Sequence, residues 1–298
     1  MSEIFRYSFE QNKLALIPSR KVESNKGTYG RLVCVCGSRG MAGAAYLAAK
    51  AALRTGAGLV EIVTPEENLI PLQTLIPEAI VTAYNSEEPS VADIERAVLR
   101  ADAIVCGCGL GVSRQSLTVL SKVLRTAKVP MVLDADALNL LARNPSLMKY
   151  VAGNIITPHA AEMSRLMRVD INDVLADPTG ACVGFATKHS LICALKGHNT
   201  LVSDGGNRLY VNKTGNSALA TAGSGDVLAG IIGGILAQNK DGEIDAVTVA
   251  SLGVYIHGLC GEIAAKNMSQ YSVIASDVIA TLPKVMLLVE REKEKLTK

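Results

Sequence analysis

A turn of small residues that ends in an acid is the segment of this sequence best suited to chemistry. Residues 222–225, with the sequence Ala-Gly-Ser-Gly, precede Asp226, and a long apolar helix is predicted over Ser224–Gln238. Small residues let the backbone approach an anion closely, and the free N–H groups of a first helical turn point at it. Taken alone, the turn is equally typical of a glycine-rich helix cap, where an acid near the positive helix end is favourable.

Two further candidates follow predicted strands. His159 comes after a strand end and Pro158, which places it at the carboxyl edge of the sheet, where such folds bind ligands. Gly109 lies in a Gly-Cys-Gly-Leu-Gly turn, where glycine permits close backbone approach to a pyrophosphate. By themselves, a lone histidine is more often structural and the glycine turn is more often an ordinary connection. His257, within a predicted apolar helix, is interpreted as a packing histidine.

The elements that must position these residues alternate along the chain. Strand-type runs followed by helical stretches predict an α/β fold with a mostly parallel sheet and helices on both faces. The strands are continuously apolar, which agrees with burial on both sides. The predicted strands are Leu32–Gly37, Leu59–Thr64, Ala79–Ala83, Ala103–Gly107, Pro130–Asp134, Asn154–Thr157 and Leu191–Lys196, and helices between them include Ala44–Thr55, Val91–Leu99, Ser116–Thr126 and Ala160–Met167.

Beyond Gly197 the pattern changes. A short hairpin is predicted, and three helices follow it. Since no linker or repeat marks a second unit, we expect residues 1–298 to form a single domain, with a polar leader at 1–25 and a charged C-terminal tail at 284–298. The predicted hairpin strands are Thr200–Ser203 and Arg208–Val211, and the three helices are Ser224–Gln238, Ile244–Lys266 and Ser276–Glu290.

Composition excludes several classes of partner. Thirty basic and 28 acidic residues leave a net charge of +2, too balanced for the phosphate-neutralising surface that nucleic acid binding needs. A membrane role is not expected either, because the longest apolar stretch, Val227–Ala237, is too short to span a bilayer. The seven cysteines show no metal or redox spacing, and we expect buried, reduced thiols.

Seven short blocks, in order over about residues 25–283, resemble the NAD(P)H-hydrate dehydratase family of the ribokinase-like superfamily. In that superfamily a Gly-x-Gly-Asp turn forms an anion hole for the transferring phosphoryl group, and its Asp activates the acceptor hydroxyl. The sequence departs from the usual family pattern at Ala160, Ala161 and Ala222, none of which removes a chemically active side chain. The blocks are Lys26–Gly30, Gly37–Ala45, Thr55–Val60, Asp134–Asn139, Thr157–His159, Lys196–Thr200 and Tyr255–Gly258.

The resemblance implies repair of hydrated NADH or NADPH at the expense of ADP, with Mg²⁺, in a cytoplasmic homotetramer. It implies that Asp226 is the base and that the anion hole consists of Ala222, Gly223, Ser224 and Gly225. It further implies that Ala44, Gly109, His159 and Asp226 bind the hydrated dinucleotide, and that Lys196, Gly197, His198, Asn199, Thr200 and Gly225 bind ADP or AMP.

Three alternatives remain at the level of sequence. A kinase of the same fold, acting on a vitamin-precursor alcohol, would share the Gly-x-Gly-Asp turn. A non-catalytic sensor of the dinucleotide would gain little from Asp226. A dinucleotide-dependent oxidoreductase is suggested by glycines after the first strand and by Glu61, interpreted as ending the next strand, but the glycine spacing is not G-x-G-x-x-G.

Overall fold

A ten-stranded mixed sheet forms the centre of the structure, a computed structural model that describes residues 4–296. The strands are β1 (Phe5–Tyr7), β2 (Arg31–Val35), β3 (Leu59–Pro65), β4 (Ile80–Tyr84), β5 (Ala103–Cys106), β6 (Met131–Leu133), β7 (Ile155–Ile156), β8 (Ile192–Leu195), β9 (Leu201–Ser203) and β10 (Arg208–Val211). They lie in the order β1-β10-β9-β8-β7-β6-β5-β2-β3-β4. Strands β2 to β8 pair in parallel, whereas β9 runs antiparallel to both of its neighbours.

Helices cover both faces of the sheet. Alternate residues of β2 belong to different cores: Leu32 packs in the layer that contains the last three helices, and Val33 packs in the opposite layer. The helices are α1 (Ala42–Thr55), α2 (Leu69–Leu75), α3 (Val91–Leu99), α4 (Arg114–Thr126), α5 (Asp136–Arg143), α6 (Ala160–Met167), α7 (Ile171–Ala176), α8 (Pro178–His189), α9 (Ser224–Gln238), α10 (Ala246–Asn267) and α11 (Ala275–Leu296).

The predicted architecture is confirmed. Each of the seven predicted central strands overlaps one of β2 to β8, and β9 and β10 form the predicted antiparallel hairpin. The cysteines are all free and buried, as expected. They contribute to an interior built chiefly from aliphatic side chains, as the shortage of aromatic residues requires.

The described parts of the expected leader and of the expected tail both form regular structure, which the sequence did not suggest. Within the expected leader, β1 pairs in parallel with β10, and a 3₁₀ helix at Gln11–Leu16 buries Leu14 completely. In the expected tail, α11 continues to Leu296 because Val285 and Val289 are buried. Lys293 Nζ donates hydrogen bonds to Ala15 O and Ser19 Oγ, both at 2.9 Å, which ties the two ends together. Residues 1–3 and 297–298 lie outside the described residues.

Close contact between α1 and α9 sets the position of α9 in the fold. Gly230 of α9 lies directly against the backbone of Ala48 on α1, where a Cβ atom would collide with the Ala48 carbonyl. Gly233 packs against the side chain of Val105 in the sheet, which would also collide with a Cβ atom. Because the two glycines carry no side chain, α9 packs directly against α1 and the sheet, and this contact sets the position of its first turn at the sheet edge.

Among the described residues, α10 is long and apolar enough to cross a membrane. However, 72% of its most apolar 18-residue stretch is buried inside the fold. It packs against both α9 and α11. The sequence prediction that no stretch was long enough was therefore wrong for this helix, whose apolar character is explained by burial in the core.

Candidate active site

A cavity of about 930 Å³ opens where three parallel strands end and α9 begins. Asp134 follows β6, His159 lies three residues beyond β7, and Lys196 follows β8. His159 and Lys196 form an isolated parallel bridge, in which Lys196 N donates to Pro158 O at 2.7 Å. The carboxyl ends of parallel strands share one edge of a sheet, so residues more than 60 positions apart meet here.

The turn before α9 is shaped for an anion. Gly223 has φ +84°, in the left-handed region, and Leu47 and Ala275 fill the space that a Cβ atom would need. The first hydrogen bond of the helix runs from Val227 N to Gly223 O at 3.1 Å. The amides of Gly225 and Asp226 therefore precede the helical ladder and are free to bind an anion at the positive end of the helix.

Asp226 is partly buried in this first turn, as predicted. Burial and the neighbouring Asp134 carboxylate raise the pKa of Asp226 to about 6, with a smaller upward contribution from Asp136. The Cys108 thiol and the Lys196 ammonium act in the opposite direction. At neutral pH the carboxylate is ionised but far more basic than an ordinary aspartate, which suits a general base.

Lys196 is the cation of the site. Its Nζ lies 2.7 Å from Asp134 Oδ1 and 3.8 Å from Glu162 Oε2, and both carboxylates are almost completely buried. Burial lowers the pKa of Lys196, but these two carboxylates more than offset that effect and raise it. Lys196 Nζ also lies close to Gly225, where it would be 3.3 Å from an added Cβ atom, so this positive charge faces the turn before α9.

His159 has a structural function at the start of α6. Its Nδ1 accepts hydrogen bonds from Ala161 N at 3.2 Å and Glu162 N at 3.3 Å, and Glu162 Oε2 accepts from His159 N at 2.9 Å. This reciprocal cap leaves Nε2 as the protonated nitrogen of the neutral ring. Burial, then the charges of Lys196 and Arg165, lower the pKa of His159, which favours that neutral form. Its side chain is half exposed toward the cavity.

The structure brings most of the predicted site residues to the cavity wall. Ala44 and Gly109 do not line it; they contact each other, since a Cβ atom on Gly109 would lie 2.8 Å from Ala44 Cβ. Gly109 directly follows Cys108 in the chain, and the Cys108 sulfur lies within 4.8 Å of carboxylate oxygens of Asp134 and Asp226, so the two residues lie close to the site without lining it. The predicted residues that line the cavity are His159, Lys196, Gly197, His198, Thr200, Gly223, Ser224, Gly225 and Asp226, whereas Asn199 and the exposed Ala222 do not.

Sequence reasoning gave no role to several residues that the structure places at the site. Asp134 and Glu162 hold Lys196; Asp134 begins one of the blocks that carry the resemblance, and Glu162 lies three residues beyond the end of another. An acid directly after a buried strand was the available signal for Asp134. His257 was interpreted as a packing residue, yet its Nε2 lies 3.1 Å from Ser224 Oγ in the anion-binding turn.

Glu61 argues against the oxidoreductase alternative. It is the third residue of β3, not its end, and it is fully buried. Its carboxylate binds Arg31 at 2.9 Å and Arg100 at 2.7 Å, and it accepts a hydrogen bond from Thr82 at 2.7 Å. A carboxylate with these partners is not available to bind the ribose hydroxyls of a dinucleotide.

The cluster of Cys108, Asp134 and Asp226 does not fit Mg²⁺. Its three ligand atoms lie close enough together for a metal ion, but Asp134 Oδ1 already binds Lys196 Nζ at 2.7 Å. A thiol is also a soft ligand, whereas Mg²⁺ requires an octahedral set of oxygens. The described residues therefore form a charge-compensated cluster and do not form an all-protein magnesium site.

The fold and this site together define a protein of the ribokinase-like class, with a partly buried aspartate of raised pKa at the start of a buried helix. The family model described as NAD(P)H-hydrate dehydratase matches residues 32–284. The chain belongs to the NAD(P)H-hydrate dehydratase family.

Individual relatives agree with this assignment. The chain is 39% identical over 254 residues to an ADP-dependent (S)-NAD(P)H-hydrate dehydratase of Neisseria meningitidis, covering 84% of this chain and 82% of that protein. A Bacillus subtilis ADP/ATP-dependent NAD(P)H-hydrate dehydratase, crystallised with ATP and Mg²⁺, has 29% identity and a TM-score of 0.80, covering 97% of this chain and 99% of that one.

Longer relatives also match. A bifunctional NAD(P)H-hydrate repair enzyme of Coxiella burnetii is 37% identical over 267 residues, covering 90% of this chain and 52% of that protein. The chain thus spans about half the length of several curated relatives that it matches.

Two substitutions separate the capping role of His159 from any other role of its imidazole ring. We expect His159→Ala to lower the free energy of unfolding by about 1 kcal/mol, because the amides at the start of α6 lose their acceptor. His159→Asn keeps an acceptor oxygen at the cap and should retain most of that stability. Urea unfolding measures both. Equal losses for the two variants would contradict the cap.

Proposed function

We propose that this chain dehydrates hydrated NADH and NADPH, converting ADP to AMP and phosphate. The observation that carries the proposal is the Asp226 carboxylate, which has a pKa raised to about 6 and lies beside free amides at the start of α9. A base beside an anion-binding turn is the arrangement that phosphoryl transfer to a hydroxyl group requires. The names of the Neisseria and Bacillus relatives support the substrate and the nucleotide.

The chemistry proceeds in two stages. Asp226 removes the proton from the ring hydroxyl as its oxygen attacks the terminal phosphorus of ADP, and the bond to AMP breaks. The amides of Gly225 and Asp226 stabilise charge on the phosphoryl oxygens. The poor leaving group hydroxide has then become a phosphate ester. The ring nitrogen lone pair expels that phosphate, and loss of a ring proton restores the reduced nicotinamide.

The two ligands are assigned to different residues. We place ADP and then AMP on the turn that runs from Lys196 to Thr200, together with Gly225. We place the hydrated dinucleotide by His159 and Asp226 in the cavity, extending toward Ala44 and Gly109, which do not themselves line it. Because Asp134 binds the Lys196 ammonium and Lys196 N donates to Pro158 O, we expect Lys196 to fix the start of the nucleotide turn. His159→Asn, which keeps the cap, isolates the contribution of the ring to dinucleotide binding.

Mg²⁺ enters this proposal only with the nucleotide. Asp134 and Glu162 bind Lys196, and Asp226 is the proposed base. We therefore expect the ion to arrive bound to the phosphates of the nucleotide. Its presence with ATP in the Bacillus subtilis structure supports this route. We further propose that residues 1–298 act as one catalytic domain, in the cytoplasm and as a homotetramer; sedimentation of the purified chain tests the tetramer.

A kinase that acts on a vitamin-precursor alcohol uses the same stages up to the phosphate ester. It differs in releasing that ester as a stable product. A binding-only sensor would leave ADP unchanged. The family assignment favours the dehydratase over both, and analysis of the products separates the three.

The decisive assay follows return of the reduced nicotinamide absorbance from hydrated NADH with protein and Mg²⁺, with and without ADP. We expect repair only with ADP, and formation of one AMP per NADH. Asp226→Asn should still fold and bind AMP, because Asn can stay at the helix start, but turnover should fall by about a hundredfold to ten-thousandfold. Repair at an equal rate without nucleotide, or near wild-type turnover of the variant, would contradict the proposal.

The raised pKa of Asp226 predicts the pH dependence of turnover. The base must be ionised to accept a proton, so kcat should be constant near neutrality and fall as the pH drops below about 6. Asp134 and Asp136 face this carboxylate and raise its pKa, whereas Cys108 and Lys196 lower it. Initial rates of AMP formation measure the profile, with circular dichroism as the control for folding. A profile that stays flat through pH 6 would exclude Asp226 as the titrating base.

A further inference from the structure

His257 is a buried histidine that the proposed chemistry does not use, yet it contacts the anion-binding turn. It lies on α10 and lines the same cavity as Asp226. Its Nε2 is 3.1 Å from Ser224 Oγ, and the residues lie 33 positions apart in sequence. Burial lowers the pKa of His257 to about 4. A hydrogen bond to the Ser224 backbone offsets part of this lowering, and the positive charge of Lys196 adds to it. The ring is therefore neutral at physiological pH and carries one N–H group.

Ser224 is placed to contribute its hydroxyl, not its amide, to an anion. Its backbone N already donates to Thr221 O at 3.3 Å. The side chain is buried at the first position of α9, on the cavity wall, directly before Gly225 and Asp226. A serine hydroxyl has one proton, and the partner that occupies its acceptor side decides where that proton points.

The position of His257 is fixed by the loop that follows β10. Thr214 Oγ1 donates to Tyr255 O at 3.0 Å, and a Cβ atom on Gly258 would collide with Thr214. Asn212 Nδ2 in turn donates to Thr214 O at 2.8 Å. These contacts hold α10 against the loop on both sides of His257, so they fix the backbone position from which the imidazole reaches Ser224.

We propose that His257 is a positioning residue that donates its Nε2–H to Ser224 Oγ and thereby directs the Ser224 hydroxyl proton to an oxygen of the transferring phosphoryl group. The opposite tautomer would take the serine proton and present oxygen lone pairs to the anion, which is repulsive. The role rests on the proposed phosphoryl transfer, and it adds a side-chain donor to the backbone amides of the turn.

A double-mutant cycle tests the coupling. Ser224→Ala removes the donor and should lower kcat by about a hundredfold with little change in the KM for ADP. His257→Met, which fills the space without a polar group, should lower kcat to a comparable extent. The double variant should be no slower than Ser224→Ala alone, because His257 acts only through Ser224. His257→Gln, of similar size but with an amide donor, should recover much of the loss.

Two outcomes of the cycle would overturn the inference. Independent, multiplying losses in the double variant would show that His257 does not act through Ser224. Loss of thermal stability in His257→Met with kcat unchanged would show a packing role alone. If wild-type protein repairs hydrated NADH only with ADP while His257→Met keeps its kcat, the inference fails and the proposed function stands.

The tautomer can also be read without any activity. Nitrogen-15 NMR of histidine-labelled wild-type protein with AMP and inorganic phosphate bound reports which ring nitrogen of His257 carries the proton, with His257→Gln assigning the signal. We expect the proton on Nε2. A proton on Nδ1 would overturn the inference even if the dehydratase activity is confirmed.

Discussion

The ion pair between Lys196 and Asp134 is the interaction on which the rest of the site depends. It joins the ends of two strands across one intervening strand, at 2.7 Å, with Asp134 almost completely buried and the Lys196 side chain 20% exposed. Without the ammonium, the carboxylates of Asp134, Glu162 and Asp226 would share one small volume with no compensating charge. Removing one partner of such a pair is costly because the other charge remains buried.

The same pair contributes to the basicity of Asp226, the base in the proposed mechanism. Burial and the Asp134 carboxylate raise the pKa of Asp226, and the Cys108 thiol and Lys196 limit the rise, so the carboxylate stays ionised at neutral pH while it remains a strong proton acceptor. In the proposed mechanism, the uncharged amides and the Ser224 hydroxyl at the start of α9 bind the phosphate. In that arrangement the Lys196 ammonium stays close to Gly225, and the backbone dipoles of the turn face the transferring phosphoryl group.

Much of this arrangement could be predicted from sequence, since apolar strand runs and the Ser-Gly-Asp turn are local signals. The contacts within the site could not be predicted in the same way. Nothing local shows that Lys196 reaches Asp134 or that His257 reaches Ser224, because those distances depend on how strands and helices pack. Only part of the role of His159 could be predicted. Its place at the sheet edge follows from the sequence, but its cap on α6 depends on backbone geometry. Strand β1 was missed because Phe5 and Arg6 lie exposed at the sheet edge, without the apolar run of a central strand.

The central claim is that the substrate hydroxyl itself is phosphorylated before it leaves. Hydrated NADH that carries ¹⁸O in the ring hydroxyl tests this most directly, with mass spectrometry of the inorganic phosphate and the water after repair with ADP. Phosphorylation keeps the hydroxyl oxygen attached to phosphorus when the carbon–oxygen bond breaks, so the account predicts one ¹⁸O atom in each phosphate released. Label that appears in water, with unlabelled phosphate, would mean that ADP hydrolysis and dehydration are separate events and would contradict the account.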